Sequence, residues 1–210
     1  MAEILAFGDS LTWGSRPDGQ GRHAHADRWP NVLAAGLAGH HMITEGQRGR
    51  TTAFDRQATS SDCNGAGILP VLLHSHAPLD LVLVMLGTND VWEDHPLWRV
   101  RDGLNRIVEV IRHHAYRLPS PHSPDIFLIA PPAMVPCGDP SVTASKIAAS
   151  QGLAELVGDV AKGHGLAWFD AGGVATTSAL DGVHLDAAAT HAIGMALRAP
   201  VAARLAALVQ

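Results

Sequence analysis

Cysteine is nearly missing from this sequence: only Cys63 and Cys137 occur in 210 residues, each in a turn-rich stretch. A disulfide needs Cα atoms within about 7 Å, and two free thiols are expected here rather than a structural bridge. Long apolar runs are missing too, none approaching the roughly 18 residues of a membrane span. The N-terminus enters a strand-like run at once, without a basic region, an apolar segment and a cleavage site. A cytoplasmic location without membrane contact is the expectation that follows. No block of like charge occurs either. The formal net charge is −5 with histidine neutral, and Arg48, Arg50 and Arg56 are dispersed among polar residues, which argues against a nucleic-acid partner or an anionic membrane surface. Repeats and low-complexity linkers are absent. A chain of 210 residues fits one α/β unit with no room for a second sizeable one, so a single domain over 1–210 is expected.

Two further signatures are missing. Thirteen histidines invite a metal reading, with dense spots at His74-x-His76, His40-His41 and His113-His114. There is no His-Glu-x-x-His helix and no paired Cys-x-x-Cys, and adjacent helical residues such as His113 and His114 do not share a face. Gly65-Ala66-Gly67 lacks a third glycine and follows a loop, so it is not a dinucleotide fingerprint. No metal and no cofactor are expected.

What is present is an alternation of buried-strand runs and helical patterns. Glu3-Ile4-Leu5-Ala6-Phe7, Met42-Ile43-Thr44, Leu81 to Leu86, Ile126 to Ala130 and Leu166 to Phe169 read as strands. Continuous apolar runs of this kind suit a parallel sheet covered on both faces. Helical spacing marks Trp29 to Gly39, Gly65 to His76 (bent or restarted at Pro70), Leu97 to Arg117, Val142 to Lys162 and Asp186 to Leu208, the last broken at Pro200. Polar loops span Ser15 to Asp27 and Ala53 to Asn64, and an irregular loop spans Ala133 to Pro140. The alternation predicts an α/β fold, a five-stranded parallel sheet between two helical layers.

Chemistry concentrates at strand ends. The first strand runs directly into Gly8-Asp9-Ser10-Leu11-Thr12-Trp13-Gly14, where Gly8 and Gly14 allow sharp turns. The third runs into Gly87-Thr88-Asn89-Asp90. Near the C-terminus, Asp181-Gly182-Val183-His184 precedes an alanine-rich helix. A serine, an asparagine amide and an Asp/His pair make up the parts list for acyl transfer, and such sets need no proximity in sequence. Each motif alone has a plainer reading. Asp9 and Ser10 suit a helix N-cap, Asp181 with His184 suits a cap beside a surface histidine, and Asn89 suits a turn.

Taken together, Gly8-Asp9-Ser10-Leu11, Gly49, Gly87-Thr88-Asn89-Asp90 and Asp181-x-x-His184 resemble the four blocks of the GDSL, or SGNH, hydrolase family in order and spacing. Phe7 to Gly14, Arg50-Thr51-Thr52, Pro78 to Val82, Met85 to Asp90 and Phe169 to Gly172 resemble its arylesterase/acyltransferase branch, which includes mycobacterial acyltransferases. The resemblance covers essentially the whole chain. The Gly-x-Ser-x-Gly elbow of α/β-hydrolases does not surround Ser10. Two departures stand out: Thr44 occupies a position where the family usually has asparagine, and Val91 to Asp94 differ from the mycobacterial pattern.

The resemblance implies a flavodoxin-like, three-layer α/β/α SGNH hydrolase fold and a serine esterase acting on short-chain aryl and alkyl esters. Water would accept the acyl group, with alcohols as a second acceptor; a carbohydrate O-acetylesterase is the alternative within the family. Ser10 is then the nucleophile, His184 its base and Asp181 the group that orients His184. The oxyanion donors are the N–H groups of Ser10 and Gly49 and the Asn89 amide. Asp9 and Asp90 are expected to stiffen the strand-end loops. Leu11, Trp13, Thr88, Trp92, Met134 and Val183 are candidates for the pocket wall, with Trp98, and ordinary packing is the equal alternative for the tryptophans. The apolar stretch from Pro131 to Pro136 suggests an apolar approach to Ser10. A homo-oligomer is also implied.

Overall fold

In the computed structural model, which describes residues 1–57, 59–116 and 121–208, the first apolar run forms strand β1 (Glu3–Gly8). Four more strands follow: β2 (His41–Gly46), β3 (Leu81–Met85), β4 (Asp125–Ala130) and β5 (Ala167–Asp170). All pair in parallel, in the order β2-β1-β3-β4-β5. This is the flavodoxin-like order, and its switch point lies between β1 and β3, where successive crossovers leave in opposite directions. Ligands in such sheets bind outside the carboxyl ends of the strands at that point. Ser10 follows β1 and Asn89 follows β3.

Among the described residues eight α-helices accompany the strands: α1 (Ser10–Trp13), α2 (Trp29–Gly36), α3 (Gly65–Ser75), α4 (Thr88–Trp92), α5 (Leu97–His113), α6 (Ala144–Gln151), α7 (Leu153–His164) and α8 (Ala187–Leu208). Alternation along each strand divides the core in two. Leu5, Phe7, Val82, Val84 and Leu128 pack with α3, α5 and α7. Ile4, Ala6, Leu81, Leu83 and Phe127 pack with α2 and α8 on the opposite face. Each of these side chains except that of Ala6 contributes about 1.5–3 kcal/mol through burial. In α5, Val100, Leu104, Ile107, Val108 and Ile111 are buried, the stripe that helical periodicity requires. Arg112 and His113 occupy its last turn, where the helix dipole favours positive charge.

The structure departs from the sequence expectations where tertiary contacts override local pattern. The stretch from Val142 to Lys162 is two helices, α6 and α7. Gly152 separates them, tightening onto the carbonyls of Ala149 and Ser150, and a Cβ there would lie 2.7 Å from Leu97 Cδ1. Just before the break the Ser150 hydroxyl accepts the Met134 N–H at 2.9 Å. Conversely, α8 is continuous through Pro200, although proline removes a helical donor. Burial of Ile193 and Leu197 before it, and Val201 and Leu205 after it, anchors both halves. Pro70 likewise lies inside an unbroken α3 between buried Leu69 and Leu73. Helix α5 ends at His113; Arg117, its expected end, lies outside the described residues. No helix among the described residues is long and apolar enough to cross a membrane.

Candidate active site

The capping and catalytic readings of the first motif turn out to describe different residues. Asp9 is the N-cap of α1, its carboxylate accepting the Leu11 N–H at 2.9 Å. Ser10 is the first helical residue, so its N–H has no intrahelical acceptor. Gly14, with φ +90°, ends the helix in the left-handed conformation. Gly8 is required for space rather than for a turn: a Cβ would sit 2.0 Å from Thr12 Oγ1 and 2.8 Å from the Met85 carbonyl. Asp9 is wholly buried, and burial pushes its carboxyl up to about 7.

Asp181 and His184 lie in one turn between β5 and α8. Asp181 Oδ1 accepts the N–H groups of Val183 (3.0 Å) and His184 (2.9 Å), while Oδ2 meets His184 Nδ1 at 2.6 Å. The other ring nitrogen, Nε2, is 3.0 Å from Ser10 Oγ. Bracing comes from both flanking loops. The Val135 N–H donates to the Gly182 carbonyl at 3.0 Å, the Thr177 hydroxyl to the Ala133 carbonyl at 2.8 Å, and His23 Nε2 lies 2.9 Å from the Leu185 carbonyl. Sequence places these segments far apart, and the fold brings all three residues to one strand edge.

The turn after β2 supplies the remaining polar groups. Gly49 has φ +83°, and a Cβ there would meet Arg56 Nη1 at 2.7 Å. Arg50 follows and is 3 % exposed. Its Nη1 donates to the carbonyls of Gly8 (2.8 Å) and Glu45, its Nη2 to Gln47 Oε1 (3.0 Å), and its guanidinium carbon lies 4.2 Å from the Phe7 ring centroid. Burial lowers the Arg50 pKa to about 10. The Arg50 carbonyl accepts the Asn89 side-chain amide at 3.0 Å, and Asp9 Oδ2 lies 3.4 Å from the same nitrogen. Asp90 accepts the backbone and hydroxyl of Thr52, tying α4 to the turn, and burial raises its pKa. Asp9 and Asp90 therefore stiffen the loops, as expected of them. The sequence motif Arg50-Thr51-Thr52 stood out only through resemblance. Nothing in the pattern of residues announces a buried arginine clamp.

A cleft of ≈ 740 Å³ opens over this edge, lined by Ser10, Gly49, Asn89, Asp181 and His184 among others. Thr88, Trp92 and Val183 also line it. Leu11 and Met134 do not: both are 2 % exposed and belong to the two halves of the core. Adjacent residues of α1 point in different directions, so Leu11 packs under the sheet while Ser10 faces the cleft. Trp13 is absent from the lining too, its ring covered by the guanidiniums of Arg22 and Arg48. Trp98 is 62 % exposed and likewise does not line the cleft. The approach is mixed rather than apolar: Arg16, Asp18, Arg48, Arg56, Thr59, Ser60, Ser61 and Asp139 stand on the wall beside Pro17, Trp92 and Val183. Cys63 lines it as a free thiol, and Cys137 is also free. Among the described residues no three His, Cys, Asp or Glu side chains group to hold a metal ion.

A hydroxyl, an imidazole and a carboxylate in this chain of contacts can transfer a proton from the hydroxyl while the carboxylate stabilises the imidazolium. Nearby N–H groups can stabilise an oxyanion formed beside the hydroxyl. A model of the GDSL-like lipase/acylhydrolase family matches residues 6–192. Among solved structures, a carbohydrate acetylesterase family member from Sinorhizobium meliloti is similar at 40% identity and a TM-score of 0.91, covering 96% of this chain and 97% of that one. A second carbohydrate acetylesterase from the same organism shares 33% identity at a TM-score of 0.90, covering 97% and 99%. The aryl esterase of M. smegmatis shares 33% identity at a TM-score of 0.89, also covering 97% and 99%. No curated protein matches the chain.

Proposed function

The chain belongs to the GDSL-like lipase/acylhydrolase family, and from that premise we propose a serine esterase that works through an acyl-enzyme on short-chain aryl and alkyl esters, without a cofactor. One observation carries the reading: His184 bridges Ser10 Oγ at 3.0 Å and Asp181 Oδ2 at 2.6 Å on the wall of the main cleft.

In the first step Ser10 Oγ attacks the ester carbonyl as His184 Nε2 takes its proton. Asp181 fixes the ring through Nδ1 and stabilises the imidazolium. The carbonyl oxygen becomes an oxyanion facing the N–H groups of Ser10 and Gly49 and the Asn89 amide. Collapse expels the alcohol, protonated by His184, and leaves an ester on Ser10. In the second step His184 removes a proton from water, which attacks the acyl carbon and releases the acid. An alcohol can replace water there, and transfer to alcohols is a minor activity in this reading, because the polar cleft wall favours water. The homo-oligomer belongs to the same proposal and is checked by light scattering.

A second reading, a carbohydrate O-acetylesterase, is supported by the same polar wall and by likeness to the Sinorhizobium meliloti acetylesterase. The chemistry is identical and the alcohol differs. The test has two parts. Mixing enzyme with excess 4-nitrophenyl acetate should release a burst of nitrophenol stoichiometric with Ser10, and no release would overturn the esterase. Comparing kcat/KM over aryl acetates and acetylated sugars then selects the substrate class.

A further inference from the structure

We propose that Arg48 makes this cleft selective for esters carrying an anionic group, a carboxylate in the simplest case; the proposal rests on the esterase reading above. Three arginines stand on the cleft wall, Arg16, Arg48 and Arg56. Two are already neutralised. Arg16 pairs with Asp18, and Arg56 pairs with Glu93 at 2.5 Å while also donating to the Gly49 carbonyl at 3.1 Å. Arg48 has no carboxylate within ion-pair distance among the described residues.

The acids of the wall are engaged elsewhere. Asp18 is held by Arg16 and by the Gln20 N–H. Asp181 is held by His184 and the Val183 N–H. Asp139 accepts the Ser141 N–H at 2.8 Å and keeps its charge, but it lies beyond ion-pair distance of Arg48. Among the described residues no carboxylate therefore pairs with Arg48.

Arg48 is exposed, but its guanidinium rests against an aromatic face. Its central carbon lies 5.1 Å from the Trp13 ring centroid, over the same indole that Arg22 covers at 4.9 Å. Arg22 is anchored on the Trp13 carbonyl. A guanidinium resting on an aromatic face keeps its N–H edge available, and that edge matches a carboxylate in bidentate geometry. Arg48 also directly precedes Gly49, whose N–H faces the reacting carbonyl in the proposed mechanism. Arg48, Gly49 and Ser10 line the same cleft, so an anion held by Arg48 shares that cleft with the scissile ester.

The charge could lie on either side of that ester, and matched substrates distinguish the two. Neutral methyl 4-acetoxybenzoate is compared with 4-acetoxybenzoate, which carries the anion on the leaving group. 4-Nitrophenyl methyl succinate is compared with 4-nitrophenyl hydrogen succinate, which carries it on the acyl group. Each pair is measured with the unchanged protein, Arg48→Gln and Arg48→Lys, because ratios between variants cancel intrinsic reactivity. In at least one pair, Arg48→Gln should raise KM for the anionic member about tenfold while leaving the neutral member within about twofold. Arg48→Lys should recover part of the loss, and added salt should narrow the difference, since an exposed ion pair is screened.

If Arg48→Gln leaves both anionic-to-neutral ratios unchanged, the selectivity proposal is wrong. A loss shared equally by neutral and anionic esters makes Arg48 a structural prop of the turn and overturns it as well. Failure of the unchanged protein to hydrolyse any of the four esters strikes instead at the esterase reading.

Discussion

The Asn89 side-chain amide donates to the carbonyl of Arg50 at 3.0 Å, and Arg50 is itself pinned to the ends of β1 and β2 through the Gly8 and Glu45 carbonyls. One amide hydrogen is thus spent on aiming the group. The other has only the long 3.4 Å contact with Asp9 and is available to an oxyanion. Asn89→Ala should therefore lower kcat by about 10²–10³ with a smaller change in KM. Steady-state kinetics on a neutral aryl acetate decide it; an unchanged kcat would reduce Asn89 to a turn residue.

Ser10 is 5 % exposed, and its hydroxyl is bonded to His184 rather than packed in the core. Ser10→Ala should abolish ester hydrolysis while leaving the thermal midpoint within a few degrees. Covalent labelling by an organophosphate should disappear in the same variant. Label found on another residue by mass spectrometry would overturn the nucleophile assignment.

The buried Asp9 carboxyl links stability to pH. Its native pKa of about 7 stands above the ordinary 3.8, with burial as the main cause. Between those values the unfolded chain releases a proton that the native state keeps. Stability therefore falls as pH rises through roughly 4 to 7 and levels off above it, by a few kcal/mol in order of magnitude. Asp9→Asn should flatten that part of the profile. Urea unfolding of both proteins from pH 4 to 8 measures the difference, and a constant offset at every pH would show that Asp9 is ionised throughout.

The polar approach to Ser10 bears on acyl transfer. With Arg16, Asp18, Arg48, Ser60 and Ser61 on the wall, an alcohol gains little by burying an apolar body there. Hydrolysis of an activated acetate in increasing benzyl alcohol should yield measurable benzyl acetate, with acetate remaining the main product. Chromatographic counting of the two products is the check. No benzyl acetate at any tolerated alcohol concentration leaves a plain esterase.

Much of this protein is readable before folding. The short apolar runs at residues 3–7, 81–86 and 126–130 read as buried strands, and ligand chemistry in a parallel sheet collects at strand ends. Ser10, Asn89, Asp181 and His184 were therefore candidates from motif and position, and the fold gathers them on one cleft. Local pattern was less reliable for helices. It could not show that Gly152 would meet Leu97 and divide one helical stretch into two, or that packing on both sides of Pro200 would keep α8 whole.

The cleft wall was the least accessible part, and for a definite reason. Whether Leu11 faces substrate or core depends on the angle at which α1 leaves β1. Whether Trp13 meets a ligand depends on two arginines that settle over it, Arg22 and Arg48. Sequence by itself determined the strands, the sheet and the candidate reacting groups, because periodicity and residue chemistry are local properties. Only the tertiary structure decided the directions of side chains around those groups. Direction is set by contacts between segments as distant as Ser10 and His184, 174 positions apart along the chain.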